Sequence, residues 1–539
     1  MKKILSYGMS LAMMATVSFS ATSCIEETVP TNGFTEEQIK GSEKATEALL
    51  WGMPAKLNDI NMFGDSRGFD WGYGSIMHIR DRQSGDCTRP YAGGYDWFAR
   101  YEYNLYMGEN SIFTQYLWNS YYKYVQSANE MIKAVPDEAN VSDAVKGMKG
   151  AGYAFRAMLY LDMARCWEYL PTDATSNINA DGNDVLHLTV PIIDENSTEE
   201  SIKNNPRVSR EKMAEFILGD LKKAEELIPN LEPSSRTLPH LDCVYGLLAR
   251  YYMWLEDYPK AYEYASKAIN ETNTTPITED QALSKTSGFN DLSKWMWGIQ
   301  QVKENSSVQS GILNWTGWMS PETTFGYANA GPYPIIDSKL YSSISKTDWR
   351  KNLYSPGTLD KNYEWYQTYA ADLENMNITY DQWPSCVAIK FRPANGAVGD
   401  PNIGAASAYP LMRVEEMYFI KIEAAAHSNA EEGKEELVDF MKEYRDPSYK
   451  CTATSQADII KEIVLQKRIE LWGEGQSFFD IKRLDYAVNN AYKGTNHPTS
   501  GQLTTTRRPA WMNWVIVLTE QNNNAALVGW NNPDPTGKY

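Results

Sequence analysis

Two stretches decide the fold, YPLMRVEEMYFIKIEAAAHSN at 409–429 and ADIIKEIVLQKRIELWGEGQSFFDIKRLDY at 457–486. Apolar residues recur at helical spacing in both, which predicts two packed helical segments. We expect Pro410 to lie in the opening turn of the first helix. Asp458 is the expected N-cap of the second helix, and Gly473 follows its C-terminal end.

Charged residues interrupt the apolar pattern of this charged helical stretch, which we define as residues 409–485. They are Arg413, Glu415, Glu423, Arg468, Glu470, Glu474, Asp480 and Arg483. Either these groups perform chemistry or they pair with one another. Glu470 and Glu474 are the best candidates for an acidic glycoside hydrolase, whose two carboxylates lie about 5–9.5 Å apart. Opposite charges on packed helices more often form structural ion pairs, so we favour pairing.

The composition excludes some classes of function. The chain has 539 residues and a formal net charge of −18, with no basic cluster that could neutralise phosphates, which argues against nucleic acid. Its 35 tyrosines and 17 tryptophans offer flat apolar faces with a polar group, which suit carbohydrate or interface contacts. For most of these residues, packing in a large core is the alternative.

The N-terminus has the pattern of an export signal. A basic start and an apolar run too short to span a bilayer predict a signal peptide over 1–23. Small residues precede Cys24 as at a bacterial lipoprotein cleavage site, so we expect Cys24 to be acylated and 24–44 to form a flexible tether. A plain secretory peptide with an unmodified cysteine is the alternative.

The sequence offers no motif for a disulfide framework or a metal site. Five cysteines remain beyond Cys24 and none forms a CxxC pair, while the five histidines form no HxxxH pair. Residues 177–182 resemble the start of a calcium loop, but Leu188 stands where an EF-hand requires a glutamate. We therefore expect no cofactor and no metal, although an irregular structural calcium site stays open.

The clearest internal motif is YGLLARYYMWLEDYPKAYEYASKAIN at 245–270, which looks like a tetratricopeptide helix pair. Glu256 stands where that repeat usually has glycine, so its turn is expected to differ. Degenerate pairs at 111–168, 209–228 and 411–445 bring the expected total to about four. Gly147 and Gly150 leave little side-chain bulk on a helix expected at 144–168, where another helix could approach closely.

The rest of the chain lacks strong helical periodicity and predicts loops after Leu57, with strand-like runs at 295–302 and 514–518. Loops on a rigid scaffold are where binding residues concentrate. Sugar rings present C–H-rich faces that stack on aromatic planes, whereas core packing is the better interpretation for any single aromatic residue. The exposed aromatic residues expected on these loops are Trp71, Tyr73, Tyr91, Trp97, Trp315, Trp318 and Tyr327.

Four segments carry a resemblance to the SusD/RagB family of outer-membrane lipoproteins. The segment at 411–429 resembles that family's R-x-x-E-x-x-x-x-x-A-E-A helix. The segment KEIVLQKRIELWGEGQSFFDIKRL resembles its E-R-x-x-E-L-x-G-E-G-x-R-x-x-D-L-x-R pattern, with Ser477 in place of the usual basic residue. The segment at 145–171 is similar to its K-G-E-A-x-x-x-R-A-x-x-Y helix. The segment at 516–524 is similar to its terminal I-P-x-S-E-x-x-x-N, with Val517 in place of the proline.

This resemblance implies a mostly α, SusD-like fold with a single domain over 45–539. Helix pairs would form a scaffold mainly at 111–271 and 409–485, and the charged helical stretch would be structural. A loop-rich ligand-binding half with short strands would lie mainly at 45–110, 272–408 and 486–539.

The resemblance also implies a function. The protein would be a non-catalytic, lipid-anchored protein of the cell surface that captures an oligosaccharide or polysaccharide. It would deliver that glycan to a SusC-like TonB-dependent transporter in the outer membrane. An acidic glycoside hydrolase and a peptide-binding, RagB-like uptake lid are the alternatives.

Overall fold

The computed structural model describes residues 43–60, 67–89, 96–102, 104–135, 141–232, 235–286, 288–357, 359–371 and 383–538. The chain divides into the units Met1–Ala45 and Thr46–Tyr539. The signal peptide predicted for 1–23, Cys24 and Tyr91 lie outside the described residues, as does the predicted tether up to residue 42. Within the described ranges, none of the helices combines the length and the apolar character that crossing a membrane requires.

The protein is mostly α, as predicted. The longer helices, with the short one that ends the charged helical stretch, are α1 Glu43–Lys56, α2 Tyr73–Ser84, α3 Ile112–Ala134, α4 Asp143–Trp167, α5 Arg210–Leu227, α6 Leu241–Trp254, α7 Tyr258–Glu271, α8 Val414–Ser428, α9 Ala430–Tyr444, α10 Gln456–Glu470 and α11 Ser477–Arg483. From α3 to α10, each of these helices packs against the next along the chain. In addition, α4 contacts α6, α6 contacts α8, and α8 contacts α10. The segment at 209–228 forms the single helix α5, so the helix pair predicted there is wrong, because one helix of 18 residues takes up almost the whole segment.

Shorter helices connect the scaffold to the loops. They are Ala99–Glu102, Glu199–Ile202, Glu279–Ala282, Ser306–Gln309, Trp315–Met319, Gly326–Asn329, Ser338–Ser343, Leu359–Tyr369, Pro401–Gly404 and Leu518–Asn523. Single 3₁₀ turns occur at Ile228–Asn230, Leu292–Lys294, Trp349–Leu353, Ala394–Gly396, Thr499–Gly501, Ala510–Met512 and Ala525–Leu527.

In the part of the chain that the structure describes, four short strands form two antiparallel pairs. β1 Cys87–Thr88 pairs with β3 Ile335–Ile336, and β2 Trp297–Gln300 pairs with β4 Ala408–Met412. The strand expected within 295–302 is therefore confirmed as β2. The run at 514–518 is not a strand, because its backbone donors go to scattered partners such as the Cys166 carbonyl, which accepts from Trp514 N.

The tetratricopeptide-like pair is formed by α6 and α7. The Asp257 side chain caps α7 by accepting from Lys260 N. At the end of α6, Glu256 N donates to the Met253 carbonyl and Asp257 N to the Tyr252 carbonyl, the two bonds of a Schellman motif. Glu256 takes the left-handed conformation with φ 60°. The expectation of a different turn is therefore wrong, because glutamate adopts the conformation that glycine usually supplies.

The close approach predicted at the glycines of α4 is confirmed. A Cβ added to Gly147 would lie 2.3 Å from Leu231 N, and one added to Gly150 would lie 2.9 Å from Ile228 N. These contacts are to backbone atoms, which cannot rotate away as a side chain can. The missing side chains thus let the chain that leaves α5 lie directly on α4.

Two details of the charged helical stretch differ from the prediction. Pro410 lies in β4 opposite Gly298, and α8 begins only at Val414. Proline is tolerated there because β4 has a partner on one side only. Ser455 caps α10 by accepting from Asp458 N, so Asp458 lies inside the helix.

The prediction of loops after Leu57 missed α2. Every residue of this helix is buried, so its sequence shows no apolar stripe. Its two arginines are paired within the protein instead: Arg80 with Asp162 at 2.8 Å, and Arg82 with Asp96 and Glu102. Burial on all sides therefore removed the periodicity on which the prediction depends.

Candidate ligand-binding site

The two aromatic segments predicted to carry the ligand lie against each other. The rings of Trp71 and Trp315 have centroids 6.0 Å apart, and those of Phe98 and Trp318 are 4.7 Å apart in an edge-to-face contact. Trp315 also stacks on Tyr409 at 5.3 Å. The segments at 69–73, 97–98 and 315–327 thus form one aromatic cluster beside the start of the charged helical stretch.

Most of these rings are not exposed. Trp71, Tyr73, Trp315 and Trp318 are at most 4 % exposed. The Tyr73 hydroxyl donates to Asp162, and burial is the main reason that its pKa is raised above the usual range. The expectation of exposed aromatics is therefore wrong for these four residues, because packing large rings together removes more apolar area from water than leaving them on loops. Direct stacking on a ligand requires an open face, which they lack.

Trp97 and Tyr327 are partly exposed residues, and we call them the aromatic rim. Trp97 lies edge-to-face on Phe69 at 6.2 Å. Tyr327 stacks on Trp318 at 4.4 Å with 18° between the ring planes. The ligand-binding role of the seven aromatic residues stays a prediction, and the rim is where a ligand could reach such rings.

A buried ion cluster fixes the position of Trp97. Arg82 and Arg89 form ion pairs with Asp96 and Glu102, all of them buried. The Asp96 carboxylate also accepts from Phe98 N at 3.1 Å, which closes the turn that contains Trp97. No sequence motif predicts this cluster, because its members come from α2, the chain after β1 and the short helix Ala99–Glu102.

His497 joins the tail of the protein to this ion cluster. Its ring nitrogens lie 3.7 Å from the Glu102 carboxylate and 3.4 Å from the Asp337 carboxylate. Burial alone would lower the pKa of His497, but the two carboxylates outweigh it and raise that pKa to about 9. Burial alone would raise the pKa of Glu102, but Arg82 and His497 hold it at about 2. The charged forms of both groups are therefore the stable ones at neutral pH.

The charges of the charged helical stretch pair with one another. Glu470 accepts four hydrogen bonds, from Arg445 at 2.7 and 2.9 Å, from Arg350 at 3.1 Å and from Arg413 at 3.2 Å. Glu474 accepts from Arg413 on both oxygens at 2.9 Å and from Lys390 at 2.7 Å. We call the buried set the central ion cluster; it consists of Arg350, Lys390, Arg413, Arg445, Asp348, Glu415, Glu470 and Glu474.

This pairing bears on the hydrolase alternative. Both oxygens of Glu470 and of Glu474 are occupied by cationic donors. Burial opposes ionisation of Glu470, but Arg445 and Arg413 outweigh it and hold the pKa of Glu470 well below its usual range. A general acid must carry a proton at working pH, so Glu470 is unsuited to that role. The predicted ion pairing of Glu470 and Glu474 is therefore confirmed.

The segment that resembles a calcium loop has another role. The Asn179 side-chain oxygen accepts from Asp181 N and Asn183 N, while its amide donates to the carbonyls of Gly529 and Asn531. The side chain thus ties this loop to the C-terminal segment. Across the described ranges, no three His, Cys, Asp or Glu residues come together as metal ligands would.

A helical repeat scaffold that carries aromatic-rich loops defines the class of this fold. Residues 85–253 match the family model described as "Starch-binding associating with outer membrane", and residues 256–530 match the model described as "SusD family". The second match covers just over half of the chain. The protein belongs to the SusD family.

Solved structures share this fold. A SusD-like carbohydrate binding protein from Bacteroides vulgatus is 22% identical, with a TM-score of 0.68 over 90% of this chain and 96% of that chain. A SusD superfamily protein from Bacteroides thetaiotaomicron is 18% identical, with a TM-score of 0.66 over 90% of this chain and 98% of that chain. At these identities the likeness establishes the fold alone. No curated protein matches the chain.

Proposed function

We propose that this protein is a non-catalytic glycan-binding lipoprotein of the cell surface, which passes an oligosaccharide or polysaccharide to a SusC-like TonB-dependent transporter. The observation that carries the proposal is the match of residues 85–253 to a family model described as starch-binding and associated with the outer membrane. The likeness to a solved SusD-like carbohydrate binding protein supports it.

We place the glycan at the aromatic rim. A sugar ring can stack on Trp97 or Tyr327, which are partly exposed residues. The buried rings of Trp71, Trp315 and Trp318 would then pack beneath the partly exposed rim residues. They would hold the ring of Tyr327 parallel to that of Trp318. A ring held in one orientation loses little conformational entropy when a ligand binds, which favours affinity.

The glycan placement is tested by affinity electrophoresis in gels that contain a panel of soluble polysaccharides, with released reducing ends assayed in parallel. Retardation without cleavage is expected for at least one polysaccharide. Trp97→Ala and Tyr327→Ala should each reduce that retardation. Trp530→Ala removes a ring that is 39% exposed but lies outside the rim, so it is the matched control and should migrate as the wild type does.

Two results would contradict the proposal. If retardation persists unchanged in the variant that lacks both rim rings, the rim is not the site. If the protein releases reducing ends and Glu474→Gln abolishes that release, the protein is a hydrolase.

The anchoring is tested separately. The proposal includes removal of residues 1–23 and acylation of Cys24, followed by a polar tether. Full-length protein should sediment with the outer membrane and be digested by protease added to whole cells. Cys24→Ala should release the protein into the soluble fraction; membrane association that persists while export continues would argue against lipidation.

A further inference from the structure

A small cavity lies where α4, α6, α8, α10 and α11 meet. Its volume is about 40 Å³, and its charged lining consists of Arg165, Glu168, Arg250, Glu416, Lys467, Asp480, Lys482 and Arg483. A single water needs roughly 10–15 Å³ of such a volume, so the cavity has room for a few waters or one small ion. None of these residues belongs to the aromatic rim.

Most cations around the cavity have a carboxylate partner. Arg250 pairs with Glu416 at 2.6 Å. Lys467 pairs with Asp480 at 2.9 Å, and Arg483 with Glu423 at 2.7 Å. Glu168 forms a longer ion pair with Arg210, at 3.6 Å.

Two cations beside the cavity lack a carboxylate partner of their own among the salt bridges of the described residues. Arg80 and Arg165 share a single carboxylate, Asp162, at 2.8 and 2.6 Å. Lys482 Nζ donates to the carbonyls of Cys166 and Glu168 at 2.9 and 2.8 Å, and it has no ion pair with a carboxylate of the described ranges. A surplus of positive charge in a buried region is unfavourable because little water is present to solvate it.

One buried donor in the lining also lacks an acceptor. Arg483 Nη2 donates to Glu423 and Asp480. Among the described residues, Nη1 makes no hydrogen bond, although the side chain is only 10% exposed and Tyr258 lies beside the guanidinium. Buried N–H groups almost always have a partner, which can be a bound water or ion. The charge surplus and the unpaired donor are independent observations. The donor requires an acceptor, and the charge surplus favours an acceptor that is negatively charged.

We propose that this cavity binds a monovalent anion no larger than formate, such as chloride. The anion offsets the surplus charge, accepts from Arg483 Nη1 and links the ends of five helices. Loss of a proton from Lys482 is the competing way to remove one positive charge, since burial lowers the pKa of Lys482 to about 7. A bound anion keeps Lys482 protonated, so the two explanations differ in their dependence on anions.

Diffraction from wild-type crystals grown in sodium bromide tests the site directly. An anomalous peak is expected in the cavity, within hydrogen-bond reach of Arg483 Nη1. Waters alone in the cavity, or bromide only at the molecular surface, would overturn the proposal.

Thermal unfolding supplies the solution test. At equal ionic strength, chloride, bromide and formate should each raise Tm saturably by about 2–3 °C over gluconate, which is too large for the cavity. Lys482→Met should abolish this difference. Lys390→Met is the matched control, because Lys390 is equally buried but lies in the charge-balanced central ion cluster. That variant should melt earlier but keep the chloride effect. Equal wild-type Tm in chloride and gluconate, or a full chloride effect in Lys482→Met, would overturn the proposal.

Discussion

Glu470→Gln should destabilise the protein without abolishing glycan binding. Glu470 accepts four charge-assisted hydrogen bonds from three arginines, at 2.7–3.2 Å. Glutamine keeps the shape but places an N–H₂ donor against guanidinium donors and leaves one positive charge unmatched. Breaking a buried ion pair in this way costs about 3–5 kcal/mol.

For a unit of this size, 1 kcal/mol corresponds to a change in Tm of about 1 °C, so Glu470→Gln should melt about 3–5 °C earlier. Scanning calorimetry measures this shift. Glu435→Gln, on an exposed position of α9, is the control and should change Tm by less than about 0.5 °C. An unchanged Tm in Glu470→Gln would refute the structural role of the central ion cluster. A normal Tm combined with loss of polysaccharide retardation would refute it as well, because the Glu470 carboxylate would then act on the ligand and not on the fold.

Three further predictions concern stability. His497→Gln should lower the free energy of unfolding by on the order of 2 kcal/mol near pH 6. The pKa of His497 is raised to about 9 in the folded protein, so its stabilising effect is complete below about pH 6.5 and disappears as the pH rises through about 9. Denaturation from pH 6 to 10 should therefore show the wild-type and variant curves converging, and parallel curves would contradict the pairing with Glu102. Glu256→Gly should stabilise the protein by about 1 kcal/mol in chemical denaturation, since glycine adopts φ 60° without strain; a loss of stability would argue against the turn. Trp318→Ala should cost about 3–5 kcal/mol because the ring is buried, whereas an exposed ring would cost little on the same assay.

The scaffold was predictable because its signals are local. The alanine-rich pair at 245–270 and the small residues at Gly147 and Gly150 each identify a helix and the closeness of its neighbour. The outcome for Glu256 shows the limit of this reasoning. A residue that is unusual at a turn can adopt the left-handed conformation that the turn requires, despite the strain. No short-range sequence pattern distinguishes this outcome from a turn of a different type.

The candidate site was harder to predict, since exposure depends on contacts between distant segments. Trp71 and Trp315 are far apart in sequence, and the sequence around each predicts an exposed loop residue. In the fold, the two rings pack against each other and become buried. The pairing of Glu102 with Arg82 and His497 likewise joins segments that share no motif. A helix with one apolar face shows a helical period in its sequence, whereas α2 is buried on all sides, shows no such period and was missed.

The central claim is that the aromatic rim binds a glycan without cleaving it. Isothermal titration with the polysaccharide that retards the protein tests this claim most directly, comparing the wild type with Tyr327→Ala. Loss of one stacking ring worth about 1.4 kcal/mol should weaken Kd about tenfold, while the glycan recovered after titration keeps its length. An unchanged Kd in Tyr327→Ala, or a shortened glycan, would contradict the claim.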